Sequence, residues 1–332
     1  MDWVLSLTQV LGGCCSNVFL FEKLLNDAKE FPDSPDIGSL VTFCQFVLVA
    51  LVSAYPLIDS QHSSWRRLYL RQTHIPIAKL TWMVSLFFVV SVLNNSVWRF
   101  GLSVPIHIMF RSSSTVITMT VGYFFGGKHY SRIQVLSSIL VSVGAILAIS
   151  LRNTDRLEWL IDNVDWRFAF GILVLSTASV LGAFLGIYTE NIYARYGNHW
   201  QEMLFYTHLL GIPLFGILGS SIFHDIKTLW SAGSRIVLSK NFSLTILELM
   251  AYLLLNCVSQ VICARGVNYL CGIASSLTVT IVLLGRKFVS LALSAYVFGN
   301  HFNKQGYLGA GILVVGTVLY SIATLQRKPK VD

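Results

Sequence analysis

The sequence predicts an all-α integral membrane protein of ten transmembrane helices, arranged as two five-helix repeats of opposite orientation. Three observations carry this. Hydrophobic residues make up 54% of the 332 and charged residues only 12%, about half the fraction usual in soluble domains, and the mean hydropathy is +0.65. Apolar stretches of the roughly 20 residues that a helix needs to cross the hydrocarbon core recur along the chain. A pattern of polar punctuation near Gly126 returns near Gly299.

Lipid offers no partner to backbone N–H and C=O groups, so each crossing segment must satisfy itself as a helix. The expected spans are Val4 to Phe21, Gly38 to Ile58, Ile77 to Trp98, Val104 to Phe125, Val135 to Leu151, Phe168 to Tyr188, Met203 to Phe223, Leu247 to Val267, Ile273 to Phe298 and Leu308 to Leu325. The first lacks the basic flank and cleavage site of a signal peptide and reads as a retained helix.

The repeat sets Gly122-Tyr123-Phe124-Phe125-Gly126 against Ala295-Tyr296-Val297-Phe298-Gly299, then His129-Tyr130-Ser131 against His301-Phe302-Asn303, Leu136 against Leu308 and Gly144 against Gly316. Spans four and five thus echo spans nine and ten. Because five is odd, two such halves lie in opposite orientations, an arrangement that marks secondary transporters with a substrate site near the midplane. The expected organisation is a first repeat over 1–151, a connection over 152–167, a second repeat over 168–325 and a basic tail over 326–332.

Orientation rests on weaker signals. Lysines and arginines divide almost evenly between the two sides, so the positive-inside rule does not decide. The acids of 27–36 and 155–165, the sequon at Asn241 and the tail lysines Lys328 and Lys330, placed like a di-lysine retrieval address, all favour cytosolic termini and an endoplasmic-reticulum or Golgi membrane. Such an address would engage coat proteins.

Function classes can be removed. The net charge of +8 is spread over short loops with no aromatic-basic stripe, which argues against nucleic acid. The six cysteines lie in or beside apolar spans without metal spacing, and read as packing residues. No cofactor or metal motif and no catalytic signature is present, and the glycines of Gly309 to Gly316 suit close helix packing. A membrane-embedded glycosyltransferase would be expected to show catalytic carboxylates and a larger extramembrane domain. Ser138 and Ser142 could pair helices within the chain or between two copies.

What is left inside the spans is cationic. Arg111, Arg286 and Lys287 fall at depth, Arg265 lies nearer a helix end where it can snorkel, and the acids Glu22, Glu190, Glu202 and Glu248 are all expected at span ends. A buried cation without an acid is costly unless a ligand supplies the charge, which points to an anionic substrate such as a diphosphate, and to exchange of one anion for another. Polar groups for the rest of a ligand include Asn94, Asn95, Ser276 and Thr280, with Tyr206 and His208 expected on one polar helix face where an aromatic ring could stack a base.

Several strings resemble nucleotide-sugar transporters of the drug/metabolite transporter superfamily, nearest the UDP-N-acetylglucosamine and UDP-xylose branch. They are Gly13-Cys14-Cys15-Ser16-Asn17-Val18, Thr42-Phe43-Cys44-Gln45-Phe46, Val92-Leu93-Asn94-Asn95, Pro105 to Ser112, Leu204-Phe205-Tyr206 with His208, and Ala274 to Thr280 followed by Arg286-Lys287-Phe288-Val289-Ser290. The resemblance implies the ten-helix fold of that superfamily and import of UDP-sugar into the lumen against UMP. It implies that Arg111 and Lys287 hold phosphates, that Phe205 and Tyr206 belong to a nucleobase motif, and that Ser276 to Lys287 form the sugar side. Relatives that carry GDP-mannose continue the seventh-helix motif with two asparagines; Thr207 and His208 stand here, which favours a pyrimidine over guanine.

Overall fold

The computed structural model describes residues 3–28, 37–58, 70–100, 113–150, 166–220, 222–227, 243–297 and 304–325. These are almost wholly helical, and among the described residues the only extended pairing is an isolated antiparallel bridge between Ile58 and Leu70. In chain order the helices are α1 (Trp3–Thr8), α2 (Cys14–Ala28), α3 (Gly38–Ala54), α4 (Ile77–Ser96), α5 (Ser114–Phe125), α6 (Arg132–Ser150), α7 (Trp166–Tyr196), α8 (Trp200–Gly211), α9 (Ser243–Ile273), α10 (Ser276–Val297) and α11 (Lys304–Leu325). The described part of every expected span lies on helix apart from Ile58, Ser113, Ala274 and Ser275. Among the described residues six segments are long and apolar enough to cross a bilayer: Trp3–Leu24, Gly38–Leu57, Ile77–Asn94, Trp166–Tyr196, Glu248–Ile273 and Tyr307–Thr324.

These helices do not have one wet face and one dry face. Leu51, Trp82, Phe124, Phe125 and Leu173 point outward and exposed, which water would penalise and lipid does not. Their hydroxyls are satisfied within the helix: Thr42, Thr81, Ser91, Thr120 and Thr177 each donate to the carbonyl four residues back.

Where the structure departs from the expected spans, a local cause is visible. The seventh span is not one α-helix: α8 stops at Gly211 and continues as a 3-10 helix over Ile212–Leu218, where Pro213 supplies no N–H to the helical ladder. The sixth extends past Tyr188 to Tyr196, so Glu190 lies inside α7 rather than at its end. A break at Ala274 and Ser275 separates α9 from α10.

The contacts divide the chain into two compact units, Met1–Val84 with Ile192–Ile273, and Ser85–Asn191 with Ala274–Asp332. Each draws on both halves of the sequence.

In the first unit a five-residue π turn, Gln9–Gly13, joins α1 to α2. It sits where α9 comes closest: a β-carbon on Gly13 would lie 2.8 Å from the Cys263 nitrogen, and one on Gly266 would lie 2.8 Å from Gln9 Cβ. At this crossing Cys14 and Cys263, 249 residues apart, form a disulfide. The packing role expected of all six cysteines is therefore corrected for these two; Cys15, Cys44, Cys257 and Cys271 form no disulfide. Deeper in the same unit Gln45, Asn17 and Asn256 satisfy one another: Gln45 Nε2 donates to Asn256 Oδ1 at 2.6 Å and Asn256 Nδ2 to the Asn17 carbonyl at 2.9 Å. Asn256 is fully buried, and such a closed network holds helices together in an apolar medium.

In the second unit α6 and α11 pack along their length, with Val141, Ala145, Leu284 and Leu313 in one apolar cluster. A β-carbon on Gly144 would stand 2.4 Å from the Leu313 nitrogen, and one on Gly316 would stand 2.9 Å from the Val141 nitrogen. Gly144 and Gly316 are partners in the sequence repeat, and so, at the same offset, are Val141 and Leu313. The contact is reciprocal. Ser138 and Ser142 are buried in this unit, and Ser142 Oγ shares a 2.6 Å hydrogen bond with Thr115 Oγ1 of α5. Both serines serve internal packing.

Candidate substrate site

The phosphate and sugar candidates fall in the second unit. Its key element is the N-terminus of α10. Ser275 caps that helix, its Oγ accepting the Thr278 N–H at 3.3 Å, and its carbonyl accepts the first helical bond from Val279. The Ser276 N–H, one of the orphan donors of the first turn, is taken by Glu190 Oε2 at 3.0 Å. The other oxygen of Glu190 accepts from Lys128 Nζ at 2.6 Å. Ser276 is buried with its hydroxyl over α7, where a β-carbon on Gly186 would lie 2.5 Å from Ser276 Oγ. Glycine at 186 lets the helices approach.

Thr280 is half-buried and donates to the Ser276 carbonyl at 2.8 Å, which leaves its oxygen available only as an acceptor. Arg286 is half-buried on α10. Asn94, on α4, is half-buried and its amide nitrogen donates to the Val90 carbonyl at 2.9 Å. Arg111, Asn241, Lys328 and Lys330 lie outside the described residues, as do the side chains of Asn95 and Lys287, although Lys287 itself lies on α10.

The nucleobase candidates fall in the first unit, on α8. Phe205 is buried and meets Tyr206 edge to face with centroids 4.9 Å apart. Tyr206 is half-buried. The shared polar face expected for Tyr206 and His208 does not form, since residues two apart on a helix are separated by about 200°. His208 is buried. Its Nδ1 donates to the Leu204 carbonyl at 2.8 Å, and its ring packs against Phe46 at 4.8 Å. With that carbonyl fixing the tautomer, only Nε2 remains as an acceptor.

Sequence reasoning missed the acids. Glu190 and Glu202, read as span-end residues, each organise a cluster: Glu190 with Lys128 and Ser276, Glu202 with His74 and the backbone beside it. Arg265 matches the expectation better, being exposed with its guanidinium 5.3 Å from the centre of the Trp200 ring.

Residues 2–324 match the UAA transporter family, which is nearly the entire chain. The chain belongs to that family. Among its relatives is a UDP-N-acetylglucosamine transporter of Kluyveromyces lactis, 38% identical, with 98% of each chain covered. Another is a UDP-xylose and UDP-N-acetylglucosamine transporter of Danio rerio, 34% identical over 97% of this chain and 94% of that one. A crystallographically solved protein, 11% identical, superposes with a TM-score of 0.60 over 96% of this chain and 99% of its own, so the fold has an experimental precedent. The resemblance carried by the sequence motifs thus extends to a UAA-family transporter over its full length.

Proposed function

We propose that this UAA-family chain moves UDP-N-acetylglucosamine, with UDP-xylose as a second substrate, across an endoplasmic-reticulum or Golgi membrane in exchange for UMP. The observation that carries the reading is end-to-end similarity to transporters of those two UDP-sugars. Chemistry supports it: Arg111 and Lys287 supply cationic charge in apolar spans for a diphosphate, and no Asp or Glu occurs in α10 to neutralise Lys287. The architecture we propose is ten helices in two inverted repeats, 1–151 and 168–325. The reciprocal packing of Gly144 on Leu313 and Gly316 on Val141 supports it, because two helices that meet across a pseudo-twofold axis touch through equivalent residues.

The test is counterflow in proteoliposomes. Vesicles preloaded with UMP should accumulate labelled UDP-N-acetylglucosamine, and external UMP should compete. Uptake indifferent to UMP on both sides would replace this reading with that of an exchanger for another phosphorylated metabolite.

In the proposed orientation both termini are cytosolic, Asn241 is luminal and Lys328 and Lys330 hold the protein in the endoplasmic reticulum. Replacing both lysines by serine is expected to shift the steady state to later compartments. A C-terminal epitope should stain in cells with only the plasma membrane permeabilised. An unmoved double variant removes the address, and an unstained epitope reverses the topology.

A further inference from the structure

At one end of the first unit, two segments distant in sequence bring three metal-ligating side chains to one point. His74 lies in the stretch leading into α4, His199 immediately precedes α8, and Glu202 is in the first turn of α8. One nitrogen from each imidazole and one carboxylate oxygen all lie within 4.8 Å of one another.

Glu202 is held for this arrangement. It is 6% exposed, and its Oε2 accepts the backbone N–H groups of His74 at 2.9 Å and Ile75 at 3.2 Å. With that oxygen occupied, Oε1 is aimed at His74 Nδ1, 2.5 Å away. His199 stacks on His74 with ring centres 4.0 Å apart and planes 8° from parallel. A buried carboxylate fixed by backbone donors and presented to two imidazoles is the kind of outer support that metal ligands need.

We propose that His74, His199 and Glu202 form a Zn²⁺ site that clips the segment before α4 to the α7–α8 turn. Two imidazoles and one carboxylate are a donor set that suits zinc, with a fourth position open to water. The ion takes the place of the proton between His74 Nδ1 and Glu202 Oε1, and a neutral His74 then carries its proton on Nε2. Zinc bonds of about 2.0–2.2 Å set tetrahedral donors roughly 3.4 Å apart, so donors as far apart as 4.8 Å must close by roughly 1.4 Å, while the His74 Nδ1 and Glu202 Oε1 pair, now at 2.5 Å, opens by roughly 0.9 Å. The rings must also leave their parallel stack, since a nitrogen lone pair lies in the ring plane. His74 can do this, because its side chain is 59% exposed. All three ligands belong to one unit, and the proposal does not depend on what the protein transports.

Titration of the full-length, tag-free protein in detergent, with a chromophoric chelator as competitor, tests the site. We expect one Zn²⁺ per chain, and a Co²⁺ adduct with the intense visible bands of a four-coordinate ion. His74→Ala and His199→Ala should each weaken binding tenfold or more, while unfolding in chelator stays at the parent temperature for the exposed His74 position. Should His199→Ala fail to fold, His199→Gln keeps a polar side chain there while removing the imidazole, and serves instead. Zinc bound equally well by the double variant would place the ion elsewhere, on the cysteines outside the disulfide for example. That outcome, or no binding at all, overturns the proposal and leaves a plain imidazole–carboxylate cluster.

Discussion

Lys287→Ala is expected to abolish exchange of UDP-N-acetylglucosamine for UMP in proteoliposomes while leaving a folded protein. Lys287 lies on α10, eleven residues beyond Ser276. The acid bound at the start of that helix is Glu190, which is committed to Lys128 and to the Ser276 N–H. Eleven residues of α-helix measure roughly 16 Å, so Glu190 stands too far along the axis to neutralise position 287. The finding that Glu190 is inside α7 therefore does not weaken the inference of an anionic substrate; distance does the work that absence of acids did at the level of sequence. Removing a buried cation that meets a diphosphate should cost on the order of 2 to 5 kcal/mol in binding, a loss of roughly 30-fold or more. Arg111→Ala should fall in the same range. Lys287→Arg keeps the charge but replaces a compact ammonium by a planar fork, and should be intermediate. Arg286→Ala is the internal control, because adjacent helical side chains diverge by about 100°. Near-normal exchange by a folded Lys287→Ala protein would remove the phosphate assignment.

The helices were legible because lipid imposes a simple demand, long apolar runs, and the chain shows them plainly: the second span was expected over Gly38 to Ile58 and the helical segment is Gly38–Leu57. What stayed hidden depended on partners far away in sequence. The sixth span is expected to end at Tyr188 with Glu190 beyond it, but a lysine from the α5–α6 connection and an N–H from α10 satisfy that carboxylate and the helix runs on to Tyr196. The Cys14–Cys263 pair is separated by 249 residues, and no spacing rule reaches that far. The Tyr206 and His208 face failed for the opposite reason, since helical geometry alone separates them and burial of His208 against Phe46 follows from it. Pro213 is a local signal, and it marks where the seventh span passes from α-helix to 3-10 helix.

Gly144→Ala should destabilise the protein strongly, and Gly316→Ala should do so by a similar route, whereas Gly311→Ala should be nearly silent. All three glycines lie on α6 or α11, and added methyl groups would meet different surroundings. At 144 the new carbon would stand 2.4 Å from the Leu313 nitrogen and 2.8 Å from the Gly309 carbonyl oxygen, both backbone atoms that no rotamer change can move. At 316 it would stand 2.9 Å from the Val141 nitrogen. At 311 nothing lies within 4 Å. Relief at 144 or 316 requires the two helices to separate along a contact that includes Val141, Ala145, Leu284 and Leu313, and overpacking of this kind costs about 1–3 kcal/mol or more. Alanine at an open helical position instead gains up to roughly 1 kcal/mol of helix propensity. Unfolding temperatures of the three purified variants in one detergent separate these cases. Because Gly144 and Gly316 are repeat partners, the comparison also tests the symmetry: an inverted repeat built around the α6–α11 contact makes both glycines sensitive, with 144 the more so by its shorter approach. Gly144→Ala and Gly311→Ala unfolding together would mean that α6 and α11 do not meet there, and would take away the structural support for two halves related by a pseudo-twofold axis.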